Sequence, residues 1–119
     1  MAWVLDQNTP IYIQIMEEVI KRIITGIYPP GSQIPSVRLL ALEAGVNPNT
    51  MQKALTELER SGILNAHRTS GRFVTTDAEL IKEQRINLAK SQTLNYLNNM
   101  KGLGLTKDEI IKLLNEENI

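Results

Sequence analysis

The sequence of 119 residues contains no cysteine. That absence excludes disulfides, thiolate nucleophiles and cysteine-ligated zinc together, and it suits a reducing compartment. Histidine is nearly absent too: His67 is alone, without a second imidazole or a thiolate to complete a metal site or a catalytic dyad, and it reads as a surface residue. Long apolar runs are missing, so nothing approaches the roughly 18 residues of a membrane span. Met1 to Asn8 shows neither the basic stretch nor the apolar run of a signal peptide, and a cytoplasmic location is expected. Excess charge of either sign is missing: 13 Lys and Arg balance 13 Asp and Glu. The resulting pI of 6.6 lies far below the value of about 9 that marks an overtly basic nucleic-acid binder. No nucleophile–base pair, phosphate-cradling glycine loop, metal-ligand cluster, repeat or low-complexity tract is present, so catalysis, cofactors and metals have no support.

What is present is a chain with 42% hydrophobic and 22% charged residues, ordinary for a helix-rich globular protein of one compact domain plus an appendage. Thr9-Pro10 reads as an N-cap and first helical position. Ile11, Ile15, Val19, Ile20, Ile23 and Ile24 then recur at helical spacing, with Glu17, Glu18, Lys21 and Arg22 largely on the opposite face, until Gly26 stops the helix. Tyr28-Pro29-Pro30-Gly31 is a turn, and Ser36 caps a short second helix, Val37 to Ala44, which ends at Gly45. Asn47-Pro48 repeats the pattern of a cap followed by a first-turn proline and starts a third helix running to about Arg60–Gly62.

Two short helices joined through Gly45-Val46 have the form of a helix-turn-helix, whose second helix enters the DNA major groove. Met51, Ala54, Leu55 and Leu58 face inward on that helix, leaving Asn49, Thr50, Gln52 and Lys53 near its start to face outward. Residues 63–68 and 72–75 alternate as strands around Thr69-Ser70-Gly71, a hairpin with Arg68 and Arg72 flanking its tip. Such a wing reaches phosphates or the minor groove beside the recognition helix. Although the whole chain is neutral, Arg38, Lys53, Arg60, Arg68 and Arg72 outnumber Glu43, Glu57 and Glu59 over residues 36–74, a local charge of +2.

From Thr76-Asp77 a long helix is predicted to about Lys101, with Leu80, Ile81, Ile86, Leu88, Ala89, Leu94, Leu97 and Met100 as its apolar positions, broken by Gly102 and Gly104. Thr106 and Glu109 form a capping box, with Leu105 and Ile110 as its hydrophobic staple. They open a last amphipathic helix carrying Ile110, Ile111, Leu113 and Leu114. The expected fold is therefore mostly α with a small β-hairpin: an N-terminal winged helix-turn-helix over residues 1–76, then a two-helix hairpin over residues 77–119.

The run Pro10-Ile11-Tyr12 with Gln14-Ile15, then Gly26, Pro30-Gly31, Pro35-Ser36-Val37-Arg38, Val46-Asn47-Pro48-Asn49-Thr50, Ala54, Leu58-Glu59, Gly62 and Gly71 with Phe73-Val74 resembles the DNA-binding domain of the GntR-type bacterial regulators. The C-terminal length is similar to that of the YtrA-type subfamily. The resemblance implies a double-stranded DNA operator as partner, a homodimer formed by the helical hairpin, and neighbouring genes for ABC-type transporters. It places Ser36, Arg38, Asn47, Asn49, Thr50, Gln52, Lys53 and the wing residues Arg68, Thr69, Ser70, Gly71 and Arg72 at the DNA. Leu39, Thr69, Arg72 and Gln52 depart from the acid, glycine, threonine and arginine common at those places, the last bearing on the preferred base.

Leu80, Ile81, Leu88, Leu94, Leu97, Met100, Ile110, Leu113 and Leu114 are the expected dimer surface, because two helices cannot cover that much apolar area on each other. The same hairpin is too small to enclose a ligand, so any small-molecule effector is expected at the dimer seam, near Tyr96 and Met100. Asn47 is expected to spend its side-chain oxygen on capping. Tyr12, Tyr28 and Phe73 are expected to pack, because duplex DNA offers no unstacked base, whereas Trp3 fits either a core cap or a dimer contact. A winged-helix module for protein–protein assembly is the alternative function. Such modules often show an acidic or apolar third helix, and Lys53, Arg68 and Arg72 weigh against it.

Overall fold

The computed structural model describes residues 3–119; residues 1 and 2, counted in the expected first domain, lie outside the described residues. The chain divides into two compact units, the first ending at Arg85 and the second spanning Ile86–Ile119. The first holds α1 (Ile11–Ile24), α2 (Val37–Ala44), α3 (Pro48–Arg60), β1 (Leu64–His67), β2 (Gly71–Val74) and the start of α4 (Ala78–Gly102). The second holds the rest of α4 and α5 (Lys107–Glu116).

α1 starts one residue later than the Thr9 cap implied. Pro10 is extended at ψ 137° and no side chain caps the helix. Gln14 reaches back instead: its Nε2 donates to the carbonyls of Asp6 and Thr9, and its Oε1 accepts from Asp6 N–H. The apolar stripe behaves as its spacing demands, with Ile15, Val19 and Ile23 buried. Gly26, at φ +85°, ends the helix where L residues seldom go.

Arg22 is the main correction to the helical wheel. Assigned to the polar face, its side chain is only 3% exposed. Its Nε donates to Glu18 Oε2 at 2.9 Å, and its Nη1 to Tyr28 Oη at 2.9 Å and Glu43 Oε1 at 3.0 Å. The guanidinium lies over the Trp3 ring, 4.3 Å from its centroid, and Trp3 Nε1 donates to the same Glu43 oxygen. Trp3 therefore covers the first unit's core rather than standing clear of it. Burial works against the arginine's charge, and the hydrogen bonds to Glu18, Tyr28 and Glu43 outweigh it, so its pKa is raised.

α2 and α3 have the predicted ends. Ser36 Oγ accepts from Leu39 N–H at 3.2 Å, and Asn47 Oδ1 accepts from Asn49 N–H at 2.8 Å. Gly45 turns the chain between them in the left-handed region, φ +70°. Leu40 and Ala41 of α2 meet Met51, Ala54, Leu55 and Leu58 of α3 and the α1 stripe in one core, closed by Ile34, Ile63, Leu64 and Val74. The first strand is two residues shorter than expected and the second starts and ends one residue earlier; they pair antiparallel, with Leu64 opposite Val74 and His67 opposite Gly71. Residues 31–34 add a third extended segment along β2: Gly31 N–H donates to Val74 O, Val74 N–H to Ser32 O, and Ile34 N–H to Arg72 O.

Leu80 and Ile81, expected at a dimer surface, pack against this core. Asp77 Oδ1 caps the start of α4 by accepting from Glu79 and Leu80 N–H, and Arg85 Nη2 reaches the Ile24 carbonyl at 2.8 Å. In the second unit the capping box is complete, Thr106 Oγ1 accepting from Glu109 N–H and Glu109 Oε1 from Thr106 N–H. Ile110 is buried, whereas Leu94, Leu103, Ile111, Leu113 and Leu114 are exposed. Leu88, Leu97 and Met100 are half-buried. No helix among the described residues is long and apolar enough to cross a membrane.

Candidate nucleic-acid interface

The first two turns of α3 carry the chemistry. Asn47 spends its side-chain oxygen on the cap, leaving its amide NH2 to donate outward. Pro48 occupies the first turn, where no N–H is needed. Met51, Ala54, Leu55 and Leu58 fix the helix to the core, which directs Asn49, Gln52 and Lys53 to solvent and leaves Thr50 half-buried. Thr56 extends the exposed face one turn further. The motif reading passed over it, though its spacing of seven from Asn49 was the available signal. Amides and an ammonium in this order can donate to, and accept from, base edges in a major groove.

Lys53 is held from below. Its Nζ sits over the Tyr12 ring, 3.9 Å from the centroid, so α1 restrains a long side chain that would otherwise lose more freedom on binding. Tyr12 packs against the core as expected. At the start of α2, Ser36 and Arg38 are both exposed. The Ser36 hydroxyl accepts a bond at the cap and so keeps its own proton to donate, a suitable arrangement for a phosphate oxygen at a helix N-terminus.

The wing tip is Arg68-Thr69-Ser70, all exposed, closed by Ser70 N–H donating to His67 O at 3.1 Å. Among the described residues no carboxylate pairs with Arg38 or Arg68. Arg72 differs from the expected free cation: its Nε donates to Glu59 Oε1 of α3, and its side chain is 16% exposed. It ties the hairpin to α3, a partnership that thirteen residues of separation conceal in the sequence. His67 packs edge-on against Phe73, ring centroids 4.5 Å apart. Among the described residues no group of three or more His, Cys, Asp or Glu side chains is placed to hold a metal ion.

The structure thus collects Ser36, Arg38, Asn47, Asn49, Thr50, Gln52, Lys53 and the wing residues within the first unit, on α2, α3 and the hairpin. Comparison with known proteins agrees in kind. The profile of the bacterial regulatory proteins of the gntR family matches residues 11–74. The HTH-type transcriptional regulator YhcF of Bacillus subtilis is 38% identical over 107 residues, covering 90% of this chain and 88% of that protein. The HTH-type transcriptional repressor YtrA of the same organism is 40% identical over 86 residues, 71% of this chain and 66% of that one. Among solved structures, a GntR family transcriptional regulator from Listeria monocytogenes superposes with a TM-score of 0.83 at 36% identity, over 96% of this chain and all of that one. The AraR DNA-binding domain in complex with operator ORX1 superposes with a TM-score of 0.57 at 28% identity, over 60% of this chain and 93% of that one.

Proposed function

The chain belongs to the GntR family of bacterial regulatory proteins and is a DNA-binding transcription regulator, and from that premise we propose that it represses transcription as a homodimer on a pseudo-palindromic operator. The observation that carries the proposal is the outer face of α3: a helix fixed by its cap and core stripe exposes Asn49, Gln52 and Lys53. Arg38 and Arg68, which no carboxylate pairs with among the described residues, stand on the flanking elements. Two-fold symmetry in the protein requires two-fold symmetry in the site, with half-sites one helical turn or a multiple apart. Repression has its parallel in the transcriptional repressor YtrA, and operator binding in the AraR complex. An assembly module often presents an acidic or apolar α3 surface, whereas the exposed start of this helix carries two amides and an ammonium.

We assign DNA binding to residues 1–76 and dimerisation to residues 77–119, with Leu80 and Ile81 anchoring α4 on the winged core. The dimer surface then rests on Leu88, Leu94, Leu97, Met100, Leu113 and Leu114, several of them exposed in the single chain, an arrangement soluble monomers rarely keep. An effector, where one exists, binds at that seam beside Tyr96 and Met100, whose aromatic and thioether side chains repack readily around a small apolar guest. It acts by changing the spacing of the two recognition helices. The test is electrophoretic mobility of the full chain with the promoter region of its own gene under excess nonspecific DNA. A retained shifted band supports the reading, and loss of the band to competitor contradicts it.

A further inference from the structure

The wing is two four-residue strands around a three-residue tip, and so short a ribbon does not fix its own direction. Gln33 supplies a tie. Its backbone bridges to Phe73 in the third extended segment, and its side chain runs beside β2 to the tip, where Nε2 donates to the Ser70 carbonyl. Gly71 makes room for this. A Cβ there would come within 2.8 Å of Gln33 Nε2, so this amide could not keep its place beside a side chain at 71, and the backbone stands at φ +102°, where an L side chain is strained. A cleft of about 350 Å³ separates the tip from the start of α2, lined by Gln33, Ser36, Ser70, Gly71 and Arg72 among others. Gln33 also lies five residues before Arg38 in the chain. One short segment therefore carries the α2 cation and ties down the wing tip that bears Arg68.

We propose that Gln33 is a positioning residue for DNA binding, acting through the wing: its bond to Ser70 presents Arg68 to the DNA backbone in a preformed geometry. The proposal rests on the DNA-binding reading above and adds a residue that does not itself touch DNA. Without the tie, the tip must be ordered at the moment of binding, which weakens affinity by about three- to tenfold. The apparent number of phosphates neutralised falls by up to about one.

The experiment is a mutant cycle on the full chain, using a duplex that the chain itself selects from a random-core library. Gln33→Met keeps the stem and removes the donor at an exposed site, so thermal stability should stay at the wild-type value. The expected result is a loss of affinity and a shallower salt slope for Gln33→Met alone, no further loss when it is combined with Arg68→Ala, and the full loss when it is combined with Lys53→Ala. An undiminished loss in the Arg68→Ala background, or none in the wild type, overturns the role of Gln33. If Lys53→Ala weakens binding while Gln33→Met does not, only this inference falls. A chain that selects no sequence and is indifferent to both changes brings down the DNA-binding reading, and this inference with it.

Discussion

Replacing Arg22 with methionine removes a buried cation while keeping a flexible apolar stem of similar length. The lost contacts include hydrogen bonds to Glu18, Tyr28 and Glu43, at 2.9, 2.9 and 3.0 Å. Their worth depends on how dry the partners are. Hydrogen bonds to a charged group contribute about 1.5–3 kcal/mol when buried, against at most about 1 kcal/mol for exposed ion pairs. Glu18 is 19% exposed and sits near the first limit, whereas Glu43, at 42%, sits near the second. Methionine retains much of the packing under Trp3, because a thioether also contacts aromatic rings favourably. The expected cost is therefore about 3 kcal/mol, at the low end of the range for breaking a buried ion pair. It corresponds to a fall in Tm of roughly 10–20 °C for a domain of this size. Thermal unfolding followed by circular dichroism, at one fixed protein concentration because self-association shifts Tm, measures it. A change below about 0.5 kcal/mol, as for an ordinary surface substitution, would refute the reasoning.

Three further outcomes are expected. The Arg22 hydrogen bond, and then that from Trp3, hold the Glu43 carboxyl below its ordinary value of 4.5. Its contribution to stability is complete above that pH and is lost as pH falls through the lower folded-state value. Glu43→Gln should accordingly flatten the acid limb of a Tm–pH profile below pH 4.5 while leaving its neutral-pH slope unchanged. Asn47→Ala removes the α3 cap and should cost about 1 kcal/mol in urea unfolding, whereas Asn47→Asp should preserve most of it. Sedimentation at micromolar protein should give a dimer, and a combined Leu94→Glu and Leu114→Glu variant should give a monomer with the far-ultraviolet spectrum retained.

The parts of the fold written in local chemistry were legible in the sequence. Ser36, Asn47-Pro48, Gly45 and the Thr106–Glu109 box each specify a helix end within a few residues, and the structure uses all of them. The outward face of α3 was legible for the same reason, since a 3.6-residue period fixes what the core stripe leaves over. Contacts between distant side chains were not. The Trp3–Glu43 hydrogen bond spans forty residues and the Gln33–Ser70 bond thirty-seven, and no local pattern announces either. Arg22 was misplaced because a helical wheel knows only one helix: its guanidinium is covered by Trp3, Tyr28 and Glu43 from elsewhere in the chain, while Glu17 and Lys21 on the polar face stay exposed. Thr9 does not cap α1: no side chain accepts from its first-turn N–H groups, and Gln14 instead fastens the preceding segment through the Asp6 and Thr9 carbonyls. Leu80 and Ile81 looked like dimer residues because periodicity shows that a side chain is apolar, not which surface it meets.

The central claim is that the start of α3 and the start of α2 meet the DNA together. It is tested most directly by titrating the full chain, Arg38→Ala and Lys53→Ala against the selected duplex and a scrambled one, with circular dichroism confirming an intact fold. Each substitution should weaken binding to the selected duplex. A contact to a base edge costs about 1–3 kcal/mol and relaxes specificity, whereas a contact to a phosphate costs affinity evenly on both duplexes and lowers the salt slope by about one. Unchanged isotherms for both variants on both duplexes would contradict the placement of these helices at the DNA.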